Sequence, residues 1–181
     1  RRGEVTYSAM PIPPALRALW RPRSTQIVAV EAAAPAIAVA TLGHRLRDTY
    51  CLLLVDSEAA EGGLVKGYSA KEDLCELAGA FWGMNIALGA APYIDRVPTD
   101  SNPADEPSKG QFDELERLGA VYLEPVVPEF LRGHLAEWEH RVGPWAAGLR
   151  TAPARTGGPT ESATPDPPTS GLSEPWVCVG A

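Results

Sequence analysis

"YCLLLVDS" (residues 50–57) is a continuous apolar run that stops at an aspartate. A strand with one solvated face alternates apolar and polar residues. A run without alternation predicts burial on both faces, as in parallel sheets flanked by helices. Asp56 then ends a buried strand at its carboxyl end, where open α/β sheets place their chemistry. Next along the chain, residues 57–65 read as a short helix, with Gly67 in "KGYS" as its stop. "AKEDLCELAGAFWGMNIALG" (70–89) reads as an amphipathic helix with Leu74, Leu77, Ala78, Phe81 and Trp82 toward a core, and "PYIDRV" (92–97) as another strand. Strand, helix, helix, strand implies a parallel pair joined by a crossover, hence an α/β fold.

Upstream, "EVTYSA" (4–9) alternates as a strand does, and "MPIPP" ends it. "ALRALW" (15–20) fits a helical turn. Ser24 or Thr25 can cap a following helix that sets Ile27, Val30, Ala34, Ile37, Ala38 and Leu42 on one face. Pro35 is a defect there: an interior proline removes a hydrogen bond and costs about 3 kcal/mol, so a kink or a later helix start is expected. After Gly110, "QFDELERLGA" reads as a surface helix, and the apolar, proline-bearing stretch that follows has no clean period. From about residue 151 the chain is rich in Pro, Thr, Ser and Gly and cannot bury enough surface to offset the entropy of ordering. The expected organisation is therefore an α/β region over 1–110, a helical or irregular extension over 111–150, and a disordered tail over 151–181.

Composition narrows the function classes. The 181 residues are 45% apolar, enough for a core, and no run of ~18 apolar residues reads as membrane-spanning. The opening "RRGEVTYSAM" has no apolar signal region, and without an initiator Met the chain is expected to be a piece of something longer. Cys51, Cys75 and Cys178 are odd in number and far apart, which suits a reducing compartment and neither a zinc set nor a disulfide framework. A net charge of −7 argues against a protein that grips nucleic acid over its whole surface. The charge is uneven, however: residues 1–50 carry +4 and residues 51–181 carry −11. Arg17, Arg21 and Arg23 form a cluster that could touch phosphates or simply be a solvated basic face.

Three carboxylates stand out from the rest. Besides Asp56, Glu31 lies on the apolar stripe of the first long helix, where an unpaired acid is expensive. Asp105 follows "SNP" (101–103): Asn102 is a good N-cap, Pro103 suits a first helical position, and Pro107 limits the turn, which fixes Asp105 on a short rigid turn. If strands 50–57 and 92–97 are parallel neighbours, their carboxyl ends share one sheet edge and the helix bearing Glu31 can lie over them. Carboxylates gathered so repel, and a divalent cation with oxygen ligands is the usual remedy. Taken alone, Asp56 reads equally as a strand-end acid that caps the next helix, and Glu31 as a surface acid. Asp95, Asp100 and Glu106 read as solvated.

"TQIVAVEAAA", "LLLVDSEAAEGGLVKGYS" and "YIDRVPTDSNPADEPSKG" resemble, in that order, successive blocks of the ribonuclease H domain that follows reverse transcriptase in retroelement polyproteins. The likeness runs from about residue 4 to 110 and is most specific in the last block. It implies a ribonuclease H-like mixed sheet flanked by helices, and it matches Glu31, Asp56 and Asp105 to three of the family's catalytic, metal-binding carboxylates. It also implies Mg²⁺ as cofactor, with two ions about 4 Å apart activating water for phosphodiester cleavage in an intact relative only. An RNA–DNA hybrid would be the partner, in an intracellular setting, cytoplasmic or nuclear, with no membrane and a monomer or a part of a larger polyprotein.

The departures from the family pattern bear on activity. No residue here matches the family's first aspartate, and Glu4 is not in that motif. "RRGEVTYSAMPIP" resembles the third strand of a sheet ordered 3-2-1-4-5, so strands 1 and 2 are expected to be missing. Strand 4–9 would then be separated from strand 50–55 or slide into the vacated place. Pro35 and Ala32–Ala34 in the glutamate helix suggest a relaxed copy. The expectation is thus an endonuclease-like chain that is catalytically incomplete, with a non-enzymatic nucleic-acid or protein interaction domain of the same fold as the alternative. His134 and His140, six residues apart, fall on different helix faces and read as surface residues, while His44 reads as a helix-end charge favoured by the dipole. The five tryptophans read as core or tail contacts rather than base-stacking platforms, and Gly62–Gly63 is not a phosphate loop.

Overall fold

The computed structural model describes residues 4–24, 26–151 and 176–180, and it is a mixed α/β fold. Strand β1 (Thr6–Pro11) leads into a single turn, α1 (Pro14–Arg17), and then into the long helix α2 (Ile27–Leu46). Strand β2 (Tyr50–Val55), helices α3 (Glu58–Lys66) and α4 (Glu72–Leu88), and strand β3 (Ala91–Arg96) follow. The chain continues through short helices α5 (Asp105–Ser108) and α6 (Asp113–Arg117) to the brief strand β4 (Val121–Tyr122). It then forms α7 (Glu129–Gly133), α8 (Trp138–Thr151) and strand β5 (Trp176–Gly180).

The central unit is the one that the apolar run predicts. β2 and β3 pair in parallel from Tyr50↔Ala91 to Val55↔Arg96, with α3 and α4 as the crossover. Ser57 caps α3 by accepting the Ala60 N–H at 3.3 Å, and Gly67 ends it with a left-handed φ of 72°, a conformation that costs a residue without Cβ little. Ser57 therefore does the capping that the bland reading assigned to Asp56. β2 is nevertheless not buried on both faces. Cys51, Leu53 and Val55 turn inward, while Tyr50, Leu52 and Leu54 are exposed. A continuous apolar run permits burial on two faces, but here the fold supplies a covering layer on only one.

β1 lies in a different sheet, ordered β4-β1-β5, parallel to β4 and antiparallel to β5. It is thus separated from β2, the first of the two outcomes expected for strand 4–9. The disordered tail expected over 151–181 needs correction at both described ends: Thr151 closes α8, and Trp176–Gly180 forms β5. Trp, Val and Val in "WVCVG" favour a strand, unlike the Pro-rich sequence before them. Residues 152–175 and 181 of that tail lie outside the described residues, as does Thr25, one of the two cap candidates.

α2 begins at Ile27 behind Gln26 with no side-chain cap, so Ser24 does not serve that role. It runs unbroken through Pro35, and no later start occurs. Proline offers no N–H to the Glu31 carbonyl, and packing makes good the loss: Ala33, Ala36 and Ile37 are fully buried, and the helix is covered nearly all round rather than along one stripe. Ile27, expected in the core, is 49% exposed at the first turn. By length and hydropathy α2 could span a bilayer, yet 67% of its apolar window is buried within the fold. His44 sits in its last turn as expected, but burial and the neighbouring Arg45 lower its pKa, which works against a cation at the dipole.

Helix α8 docks on α4 through small residues. The Trp138 ring lies over Gly79 and Gly83, where an added Cβ would stand 2.6 Å and 2.4 Å from ring carbons. Val127, Phe130, Leu131, Leu135 and Val142 enter the same core as Leu16, Ile37 and Phe81, so residues 111–150 help to build this core rather than trail from it. Trp82 donates from Nε1 to the Leu64 carbonyl at 2.7 Å, and Trp20 is buried. These are core roles, as expected, even though Trp20 lies between Arg17 and Arg21.

Candidate carboxylate site

Glu31 and Asp56 come together from two elements. Glu31 projects from the second turn of α2 and is partly buried; Asp56 follows the last residue of β2. Burial raises the Glu31 pKa, a hydrogen bond with Ser57 opposes that, and the charge of Asp56 raises it again. The two carboxylates are therefore within electrostatic reach, with the Ser57 side chain between the capped turn of α3 and Glu31. Sequence reasoning placed the two acids and missed Ser57. Its signal was present: a serine between a strand and the helical "EAAE" is an N-cap, and capping brings its hydroxyl to the start of α3.

The Asp105 turn starts from the same edge. The Val97 N–H bonds to the Val55 carbonyl at 2.9 Å, so the chain leaves β3 beside the end of β2. A 3₁₀ turn (Thr99–Ser101) leads to Asn102, whose Oδ1 accepts the Ala104 N–H at 3.1 Å and whose carbonyl accepts the Asp105 N–H at 3.0 Å. The turn is as well held as "SNPADEPS" predicts, although α5 proper starts at Asp105 rather than at Pro103. The carboxylate itself has another partner: Asp105 Oδ2 accepts from Lys109 Nζ at 2.7 Å. That bond raises the Lys109 pKa, with help from the charges of Asp105, Glu106 and Asp100. Lys109, one helical turn on in an acidic stretch, is the residue that sequence reasoning overlooked. Asp95, Asp100 and Glu106 are exposed, as expected.

The structure thus sets Glu31 within electrostatic reach of Asp56 and gives Asp105 to a lysine. Among the described residues no group of three or more His, Cys, Asp or Glu is placed to hold a metal ion. Glu31 and Asp56 are the two acids that could hold one hard cation. Their oxygens are anionic, one carboxylate is partly desolvated and destabilised when charged, and Mg²⁺ is commonly held by one or two carboxylates plus water. They do not provide the ligands of a two-ion centre.

Two of the three clustered arginines, Arg21 and Arg23, are paired, while Arg17 is exposed. Arg23 grips Asp73 with two bonds, Nη1–Oδ2 at 2.8 Å and Nη2–Oδ1 at 2.5 Å, while the Arg21 N–H reaches Asp73 Oδ2 at 3.0 Å. Arg21 pairs with Glu72, and Arg45 with Glu4 at 3.5 Å. Asp73 is 3% exposed. Burial alone would raise its pKa, but the Arg23 bonds and the Arg21 and Leu74 N–H groups outweigh that and hold it below the ordinary carboxylate range. Arg21 and Arg23 thus tie the segment before α2 to the start of α4 and are not free for phosphates. No family model, curated protein or solved structure matches this chain.

Proposed function

We propose that the chain is a ribonuclease H-like unit of the retroelement type that carries an incomplete acidic centre. In this reading Glu31 and Asp56 hold one Mg²⁺ ion, and hydrolysis of the RNA strand of a hybrid is absent or close to background. What supports the reading is that Glu31, hydrogen-bonded to Ser57 at the start of α3, feels the charge of Asp56 at the end of β2, the edge from which the Asp105 turn departs. Bound Mg²⁺ would supply charge neutralisation and a polarised water. The protein's own part is to orient Glu31 through Ser57 and to fix the turn bearing Asp105. A non-enzymatic interaction role in the same fold is the second reading, favoured by the Lys109–Asp105 pair, which satisfies the third carboxylate without metal.

Calorimetry of Mg²⁺ binding, run beside cleavage of a labelled RNA–DNA hybrid, tests both readings. The expected result is weak Mg²⁺ uptake by the wild type, lost in both Glu31→Gln and Asp56→Asn, with no cleavage above background. Absence of Mg²⁺ uptake in the wild type would remove the metal reading and leave the second. Robust cleavage abolished by Asp56→Asn would overturn the claim that the centre is incomplete.

A further inference from the structure

The carboxyl edge of the β2–β3 sheet also carries a cation that the carboxylate site does not use. Register pairs Arg96 with Val55, the residue before Asp56. Val55 turns inward, so Arg96 leaves β3 on the helix-covered face, at the end where that layer stops, and its side chain is 52% exposed. Neighbouring strands lie about 4.8 Å apart, which sets the Arg96 backbone close beside the strand end that leads into Asp56.

Arg96 is held loosely. Its Nη1 stands 3.7 Å from Glu58 Oε2, too far for a hydrogen bond, and Glu58 is 84% exposed. Among the described residues the Arg96 guanidinium donates no hydrogen bond, whereas those of Arg23, Arg117 and Arg141 do. Exposed pairs of this kind contribute little to stability and give way to a better acceptor. The planar guanidinium presents its donors as a fork that matches two oxygens of one phosphate.

The surrounding charge gives this position its importance. Residues 47–58 and 89–100 carry five carboxylates (Asp48, Asp56, Glu58, Asp95, Asp100) against Arg47 and Arg96. Arg47 precedes β2 and so lies at the amino end of the strands, while Arg96 closes the carboxyl end. Lys109, on the turn that follows, is paired with Asp105. A phosphodiester strand brought to Asp56 is repelled by the acidic rim, and Arg96 is the basic residue of these two segments placed to offset that repulsion. Phosphates recur about every 3.4 Å along a strand, so one that faces Asp56 has a neighbour near Arg96.

We propose that Arg96 is the phosphate-binding residue of the candidate centre: it exchanges Glu58 for a non-bridging oxygen of the nucleic-acid strand and holds that strand in register with Glu31 and Asp56. The contact is to the backbone and is therefore indifferent to base sequence. This inference rests on the reading of the chain as one that takes up an RNA–DNA hybrid. It does not rest on Mg²⁺, because the positive charge belongs to the protein.

The probe is a labelled RNA–DNA hybrid titrated with the full chain in EDTA over a range of salt concentrations. Wild type is expected to bind with an affinity that falls as salt rises. Arg96→Ala should bind about 10-fold more weakly at low salt, the scale of one lost charged hydrogen bond. Its plot of log affinity against log salt should be shallower by about 0.9, the share of one phosphate contact. Arg96→Lys should restore that slope and part of the affinity. Glu58→Gln releases the guanidinium and should tighten binding in the wild type more than in an Arg96→Ala background. Arg132→Ala, which removes an exposed arginine of α7, is the control and should change neither quantity. An unaltered Tm for Arg96→Ala is expected, since the pair it breaks is exposed. No binding by the wild type, an unchanged slope in Arg96→Ala, an equal loss in Arg132→Ala, or failure of Arg96→Lys to restore the slope would each overturn the proposal. Calorimetric Mg²⁺ uptake is a separate readout: its absence would remove the metal reading and leave the Arg96 contact standing.

Discussion

The two sheets invert what hydropathy alone would predict. β1, "TYSAMP", mixes polar and apolar residues, yet Thr6, Tyr7, Ser8 and Ala9 are all buried. β2 is the most apolar strand of the chain and exposes every second side chain. The difference lies in the neighbours. β1 is the middle strand of its sheet, with Phe112 and Tyr122 rings at 5.8 Å and 5.4 Å from Tyr7, and the Ser8 hydroxyl bonds to the Leu123 carbonyl. β2 has one strand neighbour and a helical layer on one face. Burial is thus set by how many elements surround a strand, and a polar residue can go inside where its hydrogen bond goes with it.

The contrast can be broken most forcefully at Tyr7. Tyr7→Ala removes the ring around which Phe112, Leu115 and Tyr122 pack and should cost about 3 kcal/mol, read as a lower urea midpoint. A loss no larger than that of a surface variant would mean that the β1 sheet does not carry the stability its burial implies.

Next in size is the buried ion pair that anchors α4. Asp73→Asn should cost about 2 kcal/mol at neutral pH, because it weakens charge-assisted bonds to Arg23 while leaving the guanidinium in place. The pH dependence has a defined sign. With a folded pKa held below its unfolded value, Asp73 contributes stability that is present above about pH 4 and lost as pH falls through the folded pKa. Wild type and Asp73→Asn should therefore converge in strong acid; a constant gap across the acid range would detach the effect from the carboxylate's charge.

Gly83→Ala tests the support beneath the inner face of the β2–β3 sheet. The added Cβ would stand 2.4 Å from a Trp138 ring carbon. Overpacking of that kind costs about 1–3 kcal/mol, against roughly 1 kcal/mol gained in helix propensity. A net loss near 1 kcal/mol should appear as a lower Tm, and Trp138→Leu in the same background should relieve it. Smallest of all, Leu52→Thr on the open face should change stability by less than about 0.5 kcal/mol. A loss comparable to that of Tyr7→Ala would show that the outer face is covered in solution.

Much of the local structure was legible in the residues. The helix between Ser57 and Gly67 has its cap and stop written beside it, and "SNPADEPS" announces a held turn around Asp105. The Asp105 turn could be placed at the edge that Asp56 ends because a parallel pair brings its carboxyl strand ends together, and Glu31 followed by laying its helix over that edge. The partner of Asp105 could not be read so directly, because Lys109 competes with any metal through side-chain geometry rather than through motif. The burial of Asp73 was likewise invisible, since Arg23 lies on a separate segment and only folding brings the two together.

By itself, then, the sequence determined the periodic elements, their order and the parallel pairing of β2 with β3, since these follow from spacings of two and about three and a half residues and from the capping residues between them. Tertiary structure alone decided which face of β2 remained open, that β5 joined β1, that Pro35 was carried within a helix, and that Asp73 acquired Arg23 as its partner. The physical reason is range: backbone periodicity is settled among near neighbours, whereas burial and ion pairing depend on residues tens of positions apart that only the packed core brings into contact.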